Sequence, residues 1–278
     1  MIRRLLFFLG IVLLVPVLAS AGSETPWEKK LPFKKATIQY ALSGIEKGSE
    51  TLYIRDYGRE TAKYRKATMT MMGMTNASET IEFMDADWLY EFDMVEKTGT
   101  KSVNPQKYMI EEFNKLTKEE KEQVIKNSEE MATGPMMGAL NAKVEKNAKK
   151  ILGYDCDKMT MMGSTIYTMH DAGIALLTES NMMGMQIKIE ATSIDKGAPP
   201  KEYFKHPEGI TPVMDPEADA MARSMAKQTM DMLKDPEALK NPQTNQPPQQ
   251  SPNQPQLSPE EQQQMEKAME ALKGIFGN

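Results

Sequence analysis

Residues 36–94 read ATIQYALSGIEKGSETLYIRDYGRETAKYRKATMTMMGMTNASETIEFMDADWLYEFDM, and this stretch decides the fold. Its apolar residues recur at alternate positions: Ile38, Tyr40 and Leu42; Leu52 and Ile54; Ala67, Met69 and Met71; Ile81 and Phe83; Trp88, Tyr90, Phe92 and Met94. Successive side chains of a strand point to opposite faces. The pattern therefore predicts a sheet that is greasy on one side and wet on the other. Five strands are expected, at Ala36–Ser43, Glu50–Tyr57, Glu60–Met72, Ser78–Met84 and Trp88–Val95. Gly44 to Ser49, Gly58, Gly73, Asp85-Ala86-Asp87 and Lys97-Thr98-Gly99 supply turns between or after them. Punctuation this regular points to an antiparallel meander rather than β-α-β crossovers.

Downstream the period changes. Pro105–Lys150 reads as a charged helical insert. Thr117 followed by Glu120 forms a capping box, and Thr133-Gly134-Pro135 stops the helix. Met136–Lys150 reads either as a helix or as a short helix entering a strand, with helix favoured to about Ala142. Strands resume near Ile151 as Asp157–Met162, Ser164–His170, Ile174–Ser180 and Met182–Thr192. In the last of these, Met185, Ile187 and Ile189 alternate with Gln186, Lys188 and Glu190. Residues 199–212 are irregular, and Tyr203 and Phe204 are expected to dock on the sheet. A one-sided sheet of eight or more strands curls. The expected fold class is thus α+β: an open, curved antiparallel half-barrel over residues 36–212, with helices over its concave face and a helical C-terminal tail. The tail comprises a helix within 213–240, a Pro/Gln/Asn linker at 241–258 and an amphipathic helix at 259–278. Met265, Ala268, Met269, Leu272, Ile275 and Phe276 form the stripe of that last helix. A helix of this length is marginal alone in water, so it is expected to need a protein partner or a membrane surface.

Residues 1–21 read as a cleaved signal peptide. Arg3 and Arg4 precede an apolar run from Leu5 to Leu18, and Ala19-Ser20-Ala21 presents small residues for cleavage. The run is shorter than the roughly 20 residues that span a bilayer. Residues 22–35 form a tether. The expected destination is periplasmic or secreted. The chain has 34 Lys plus Arg against 39 Asp plus Glu, and this acidic balance without a basic cluster excludes nucleic acid as a partner. Cys156 is the only cysteine, so no internal disulfide forms. It reads as a buried strand residue, or else as a reactive or intermolecular thiol. Asp155 and Asp157 beside it would raise its pKa and blunt its reactivity.

No catalytic apparatus is visible. There is no nucleophile elbow, phosphate loop or His-Glu-x-x-His, and two histidines, His170 and His206, are too few for a nitrogen-based zinc site. Asp85 and Asp87 read as turn formers rather than calcium ligands. The anomaly is methionine, at 25 of 278 residues. Met-Met-Gly occurs at 71–73, 136–138, 161–163 and 182–184. Thioethers suit Cu(I), but they also fill irregular apolar space. Adjacent methionines in a strand point to opposite faces, so each pair alone cannot chelate from one face. Trp88, Tyr90 and Phe92 form an aromatic row that is either core packing or the lining of a hollow.

The runs Glu50–Gly58, Met84–Trp88 and Gly153–Asp157 resemble a family of uncharacterised exported bacterial proteins related to the periplasmic lipoprotein carriers of the Lol system. The resemblance covers roughly Ala36–Ile210. It implies a half-barrel with helices over the concave face and an acyl chain held between them. The resulting expectation is an exported, non-enzymatic binding protein without a cofactor, which holds a lipid or other apolar small molecule. Tyr40, Leu52, Trp88, Tyr90, Phe92, Met185, Ile187 and Ile189 are its candidate ligand-binding residues. A methionine-based Cu(I) protein and an envelope interaction module acting through residues 259–278 are the alternatives.

Overall fold

The computed structural model describes residues 31–71, 74–131, 142–161, 163–182 and 185–235. The expected signal peptide, the expected linker, the expected last helix and the Met-Met-Gly at 136–138 lie outside them.

The fold is an α+β open half-barrel. The twelve strands among the described residues form one sheet. In chain order they are β1 (Ala36–Gly44), β2 (Glu46–Arg55), β3 (Glu60–Met71), β4 (Met74–Met84), β5 (Trp88–Asp93), β6 (Thr98–Val103), β7 (Lys143–Ile151), β8 (Tyr154–Met161), β9 (Ser164–Met169), β10 (Ala175–Met182), β11 (Met185–Asp195) and β12 (Val213–Met214). The spatial order is β12-β6-β5-β4-β3-β2-β1-β11-β10-β9-β8-β7. Two antiparallel meanders are thus joined through the β1–β11 pair, and only β12, beside β6, is parallel.

The sheet curls. Phe33, just before β1, meets the Tyr154 ring at the start of β8, with centroids 6.5 Å apart. A flat sheet would hold β1 and β8 about 19 Å apart, four strand spacings. The Tyr40 hydroxyl likewise donates to the Ala175 carbonyl of β10 at 3.1 Å, reaching past β11.

Among the described residues three α-helices, α1 (Pro105–Asn114), α2 (Lys118–Met131) and α3 (Pro216–Leu233), accompany the sheet. Each has a readable start. Asn104 caps α1, accepting from the Gln106 N–H, and Pro105 stands at its first position. At α2 the capping box is present in both directions: Thr117 Oγ1 accepts from the Glu120 N–H at 3.2 Å, and Glu120 accepts from the Thr117 N–H at 2.9 Å. Asp215 caps α3 through the Glu217 and Ala218 N–H groups. Tyr108, Met109, Phe113, Val124, Ala226, Met230 and Leu233 bury one another as a helical core that meets the sheet through Val103 of β6.

Three strands refine the sequence reading. The helical insert ends earlier than Lys150: Lys143–Ile151 is β7, the strand that the second reading of 136–150 left open. Seven of the eight residues from Lys143 to Lys150 are Lys, Glu, Asn or Val, and all eight are exposed. Such a charged edge has no apolar alternation to read, and its charges and bulge guard it against further pairing. Thr98–Val103 is β6 rather than a closing turn, and Val213–Met214 is β12, too short to carry a pattern.

The larger correction concerns the faces. Leu52 stands opposite Lys63, Lys63 opposite Glu82 and Glu82 opposite Glu91. Tyr53 stands opposite Ala62, Ala62 opposite Phe83 and Phe83 opposite Tyr90. Directly opposed residues share a face. The apolar side of β1 and β2, here termed the front, therefore continues into the charged side of β3–β5. The apolar side of β4 and β5 is the back. Ala36, Ile38, Tyr40 and Ile54 belong to the front core, and Ala62, Ile81, Phe83 and Phe92 form the back core.

Candidate functional site

Register assembles one front-face ladder of small and apolar side chains at the hairpin end of the sheet. From β4 to β8 it runs Ser78, Ala67, Gly48, Leu42, Ile189, Thr178, Ile166 and Met159. Nearer the hairpin ends the same face carries Met69, Ile187, Ser180, Ser164 and Met161, then the opposed register positions Met71–Met74 and Met182–Met185. Leu42, Ala67, Ile166 and Met159 are buried. Met69, Met161, Met185, Ile187 and Ile189 are half-buried, and Met74 is 63% exposed. Gly44 permits the close β1–β11 approach: a Cβ there would lie 2.0 Å from the Gln186 carbonyl oxygen.

One charged cluster interrupts this face. Arg65 pairs with Glu46 at 2.7 Å and Glu50 at 3.0 Å. Burial works against the Arg65 charge, but the two carboxylates outweigh it and hold the guanidinium protonated beyond its usual range. Burial, with the Glu50 charge second, pushes the neighbouring Tyr40 phenol well above the usual tyrosine range. Tyr40 is therefore a neutral hydrogen-bond donor, with no acid–base role near neutral pH.

Of the eight residues expected to bind a ligand together, five share the front face: Tyr40, Leu52, Met185, Ile187 and Ile189. Tyr40, Leu52 and Ile189 pack into or against the front core, and Met185, Ile187 and Ile189 stand on the ladder end of the same face. Trp88, Tyr90 and Phe92 are on the back and do not join them. Phe92 is core, 1% exposed and edge-on to Phe83 at 5.8 Å. The Tyr90 ring lies 4.4 Å from the His206 ring, and Lys101 Nζ stands 5.0 Å over the Trp88 ring. A strap from Lys201 to Ile210 lies over Tyr90, Phe92 and their neighbours. Tyr203 stacks on Tyr53 at 4.2 Å, its carbonyl accepts from the Tyr64 hydroxyl, and Arg55 lies 3.6 Å over the Phe204 ring. Tyr203 and Phe204 thus dock on the sheet as expected, and the His206 ring, 5.3 Å from that of Phe92, makes core packing rather than a hollow the reading of this row that holds for Phe92.

Met69, Met159, Met161, Leu42 and Ile166 join the site without having been expected there. The alternation already set Leu42 beside Tyr40 and Met69 beside Met71, and the repeated Met-Met-Gly is the further signal in the sequence. Three of its copies mark the ends of the hairpins β3–β4, β8–β9 and β10–β11, which all lie at one end of the sheet.

Elsewhere the sequence readings of single residues hold. Asp85 Oδ1 accepts from the Asp87 and Trp88 N–H groups, closing a turn. Cys156 is fully buried; burial first, then Asp155 and Asp157, push its thiol up. His170 Nδ1 lies 2.8 Å from both carboxylate oxygens of Asp157, an arrangement that orients an imidazole. No group of three His, Cys, Asp or Glu able to hold a metal occurs among the described residues.

No family model matches this chain, and no curated protein does. Among solved structures it is similar to an uncharacterised conserved protein from Thermus thermophilus, at 8% identity and TM-score 0.35, over 64% of this chain and 90% of that one. It is also similar to PNGF-II, at 12% identity and TM-score 0.34, over 70% of this chain and 33% of that one. Likeness of this degree carries no argument about function.

Proposed function

We propose that this is an exported, non-enzymatic binding protein that holds a lipid or other apolar molecule on the front face, at the methionine-rich hairpin end. The observation behind this reading is the register ladder. It gathers Leu42, Met69, Met159, Met161, Ile166, Met185, Ile187 and Ile189 on one face and leaves several of them half-buried. Unbranched thioethers accommodate variable apolar shapes, and each Å² removed from water contributes about 25 cal/mol. Such a protein takes its ligand by burial and needs no cofactor or catalytic group. Native mass spectrometry and titration with a fluorescent fatty acid test it on the full exported chain. Uptake is expected, and Ile187→Gln should weaken it about tenfold, the effect of desolvating one amide without a partner. A protein that takes up no fatty acid, or an Ile187→Gln variant that binds equally well, overturns the reading.

A second reading, Cu(I) binding, gains one observation. Met71 stands opposite Met74 across the hairpin, with Met69 two residues along the same face. The hairpin thus supplies the same-face positions that adjacent methionines in one strand cannot. Titration with Cu(I) against a competing chelator decides it; affinity weaker than about micromolar, −8.2 kcal/mol, removes it.

A further inference from the structure

The front-face ladder is apolar on both flanks of β10 and hydroxylated on β10 itself. Thr178 stands opposite Ile189 on one side and Ile166 on the other, and Ser180 stands opposite Ile187 and Ser164. Met159 and Met161 of β8 continue these two rows beyond β9. Thr178, Ser180 and Ser164 are all half-buried.

Two of these hydroxyls keep a hydrogen to donate. Ser164 Oγ donates to Ser180 Oγ at 3.0 Å, so that bond leaves the Ser180 hydrogen unused. The Thr178 hydroxyl makes no hydrogen bond with a described residue. Both side chains are partly exposed, so water serves them while the face is open. A hydrocarbon laid across the ladder would displace that water and offer nothing in its place. A hydroxyl stripped in this way costs more than its bond contributes. A ligand oxygen above β10 reproduces the lost bonds and removes that cost.

Charge selects the kind of oxygen. From β11 to β8 the two rows hold no charged residue. The charged groups that flank them on the same face are already engaged: Arg65 pairs with Glu46 and Glu50, and Asp157 faces His170 Nδ1 at 2.8 Å. A carboxylate above β10 would lose water beside no free cation. An ester carbonyl needs only a donor. We propose that the ladder takes a neutral acyl ester, its oxygens accepting from the Thr178 and Ser180 hydroxyls. Its alkyl parts lie on Ile187 and Ile189 to one side and on Met159 and Met161 to the other. This rests on the front-face reading above and names the class of ligand for it.

Displacement of the fluorescent fatty acid from the full exported chain tests this, with methyl dodecanoate, 1-methoxydodecane and dodecanoate as competitors at pH 8. The ether keeps the shape of the ester and lacks its carbonyl. Methyl dodecanoate should displace the probe about fivefold more strongly than the ether, the worth of one neutral hydrogen bond, and more strongly than dodecanoate. Thr178→Val together with Ser180→Ala should remove the ester's advantage without weakening the ether. Valine keeps the β-branched shape of threonine in a strand, and an unchanged Tm shows that the fold is kept. Ile187→Gln should weaken ester and ether alike, as it weakens the fatty acid. Equal displacement by ester and ether overturns the proposal and leaves the front-face reading standing. So does stronger displacement by dodecanoate than by its ester, or an ester advantage that survives the double variant. A chain that takes up no fluorescent fatty acid overturns both.

Discussion

The front core around β1 and the back core around β4 are closed in different ways. Around β1, the front residues Ala36, Ile38 and Ile54 cluster with Cys156, Met169 and Leu176 from the far strands of the same curled sheet. On the back, Ala62, Ile81, Phe83 and Phe92 lie beneath an irregular strap, with Phe204 and Ile210 packed on them. Curvature brings distant strands together at one region, while a flat region needs a separate cover. An apolar surface left free for a ligand should then occur where neither device reaches. The hairpin end of the front face fits that description, and the aromatic row on the back does not.

Phe92→Ala should have the largest effect. The side chain is 1% exposed and interlocks with Phe83, and truncating a buried Phe costs about 3–5 kcal/mol. Urea unfolding measures this. The folded fraction should still take up fatty acid, since Phe92 faces away from the ladder. Lost uptake in folded protein would mean that the two faces act as one site.

Arg65→Met asks the same question from the front. It leaves Glu46 and Glu50 facing each other without their cation. Breaking a buried pair in this way costs about 3–5 kcal/mol, and the 23% exposure of Arg65 places this case at or below the lower bound. Adding Glu46→Gln should restore part of the stability, read as a non-additive double-mutant cycle. Simple additivity would show that the cluster is solvated and that the front face is wetter than its packing indicates.

How much of this can be read in advance follows from what alternation encodes. Period two tells which residues of one strand share a face, and Ile38, Tyr40 and Leu42 do share one, as do Tyr90 and Phe92. It does not tell which face of the next strand continues it. That depends on register, and a shift of one residue exchanges the faces. Leu52 meets Lys63 rather than Ala62, so the two apolar runs part company at β2–β3. Capping signals are local and therefore legible, as Thr117 with Glu120 and Asp215 show. β7 is legible only as one of two readings, because an edge strand of lysines has no core side to reveal. The alternation leaves the aromatic row open between core packing and a hollow because its cover, Tyr203 to Ile210, arrives from more than a hundred residues away.

Glu91→Gln should have the smallest effect and is the most direct probe of the polar front. Glu91 stands opposite Glu82, like charge against like. The protein around it, then Glu82, push its carboxyl above the usual range; Lys63 works against this, and Asp215 adds to it. A raised carboxyl binds its proton more tightly folded than unfolded. It therefore penalises the fold once pH rises past the folded pKa, and the penalty is absent below the ordinary glutamate value of about 4.3. Glu91→Gln should accordingly stabilise at pH 7 by no more than about 0.5 kcal/mol, because solvent screens an exposed site. The gain should vanish as pH falls below the ordinary glutamate range. Unfolding curves at the two pH values check it. A loss of stability at pH 7 would mean that Glu91 has a cationic partner, and that the front of β4–β5 is a paired surface rather than a crowded acidic one.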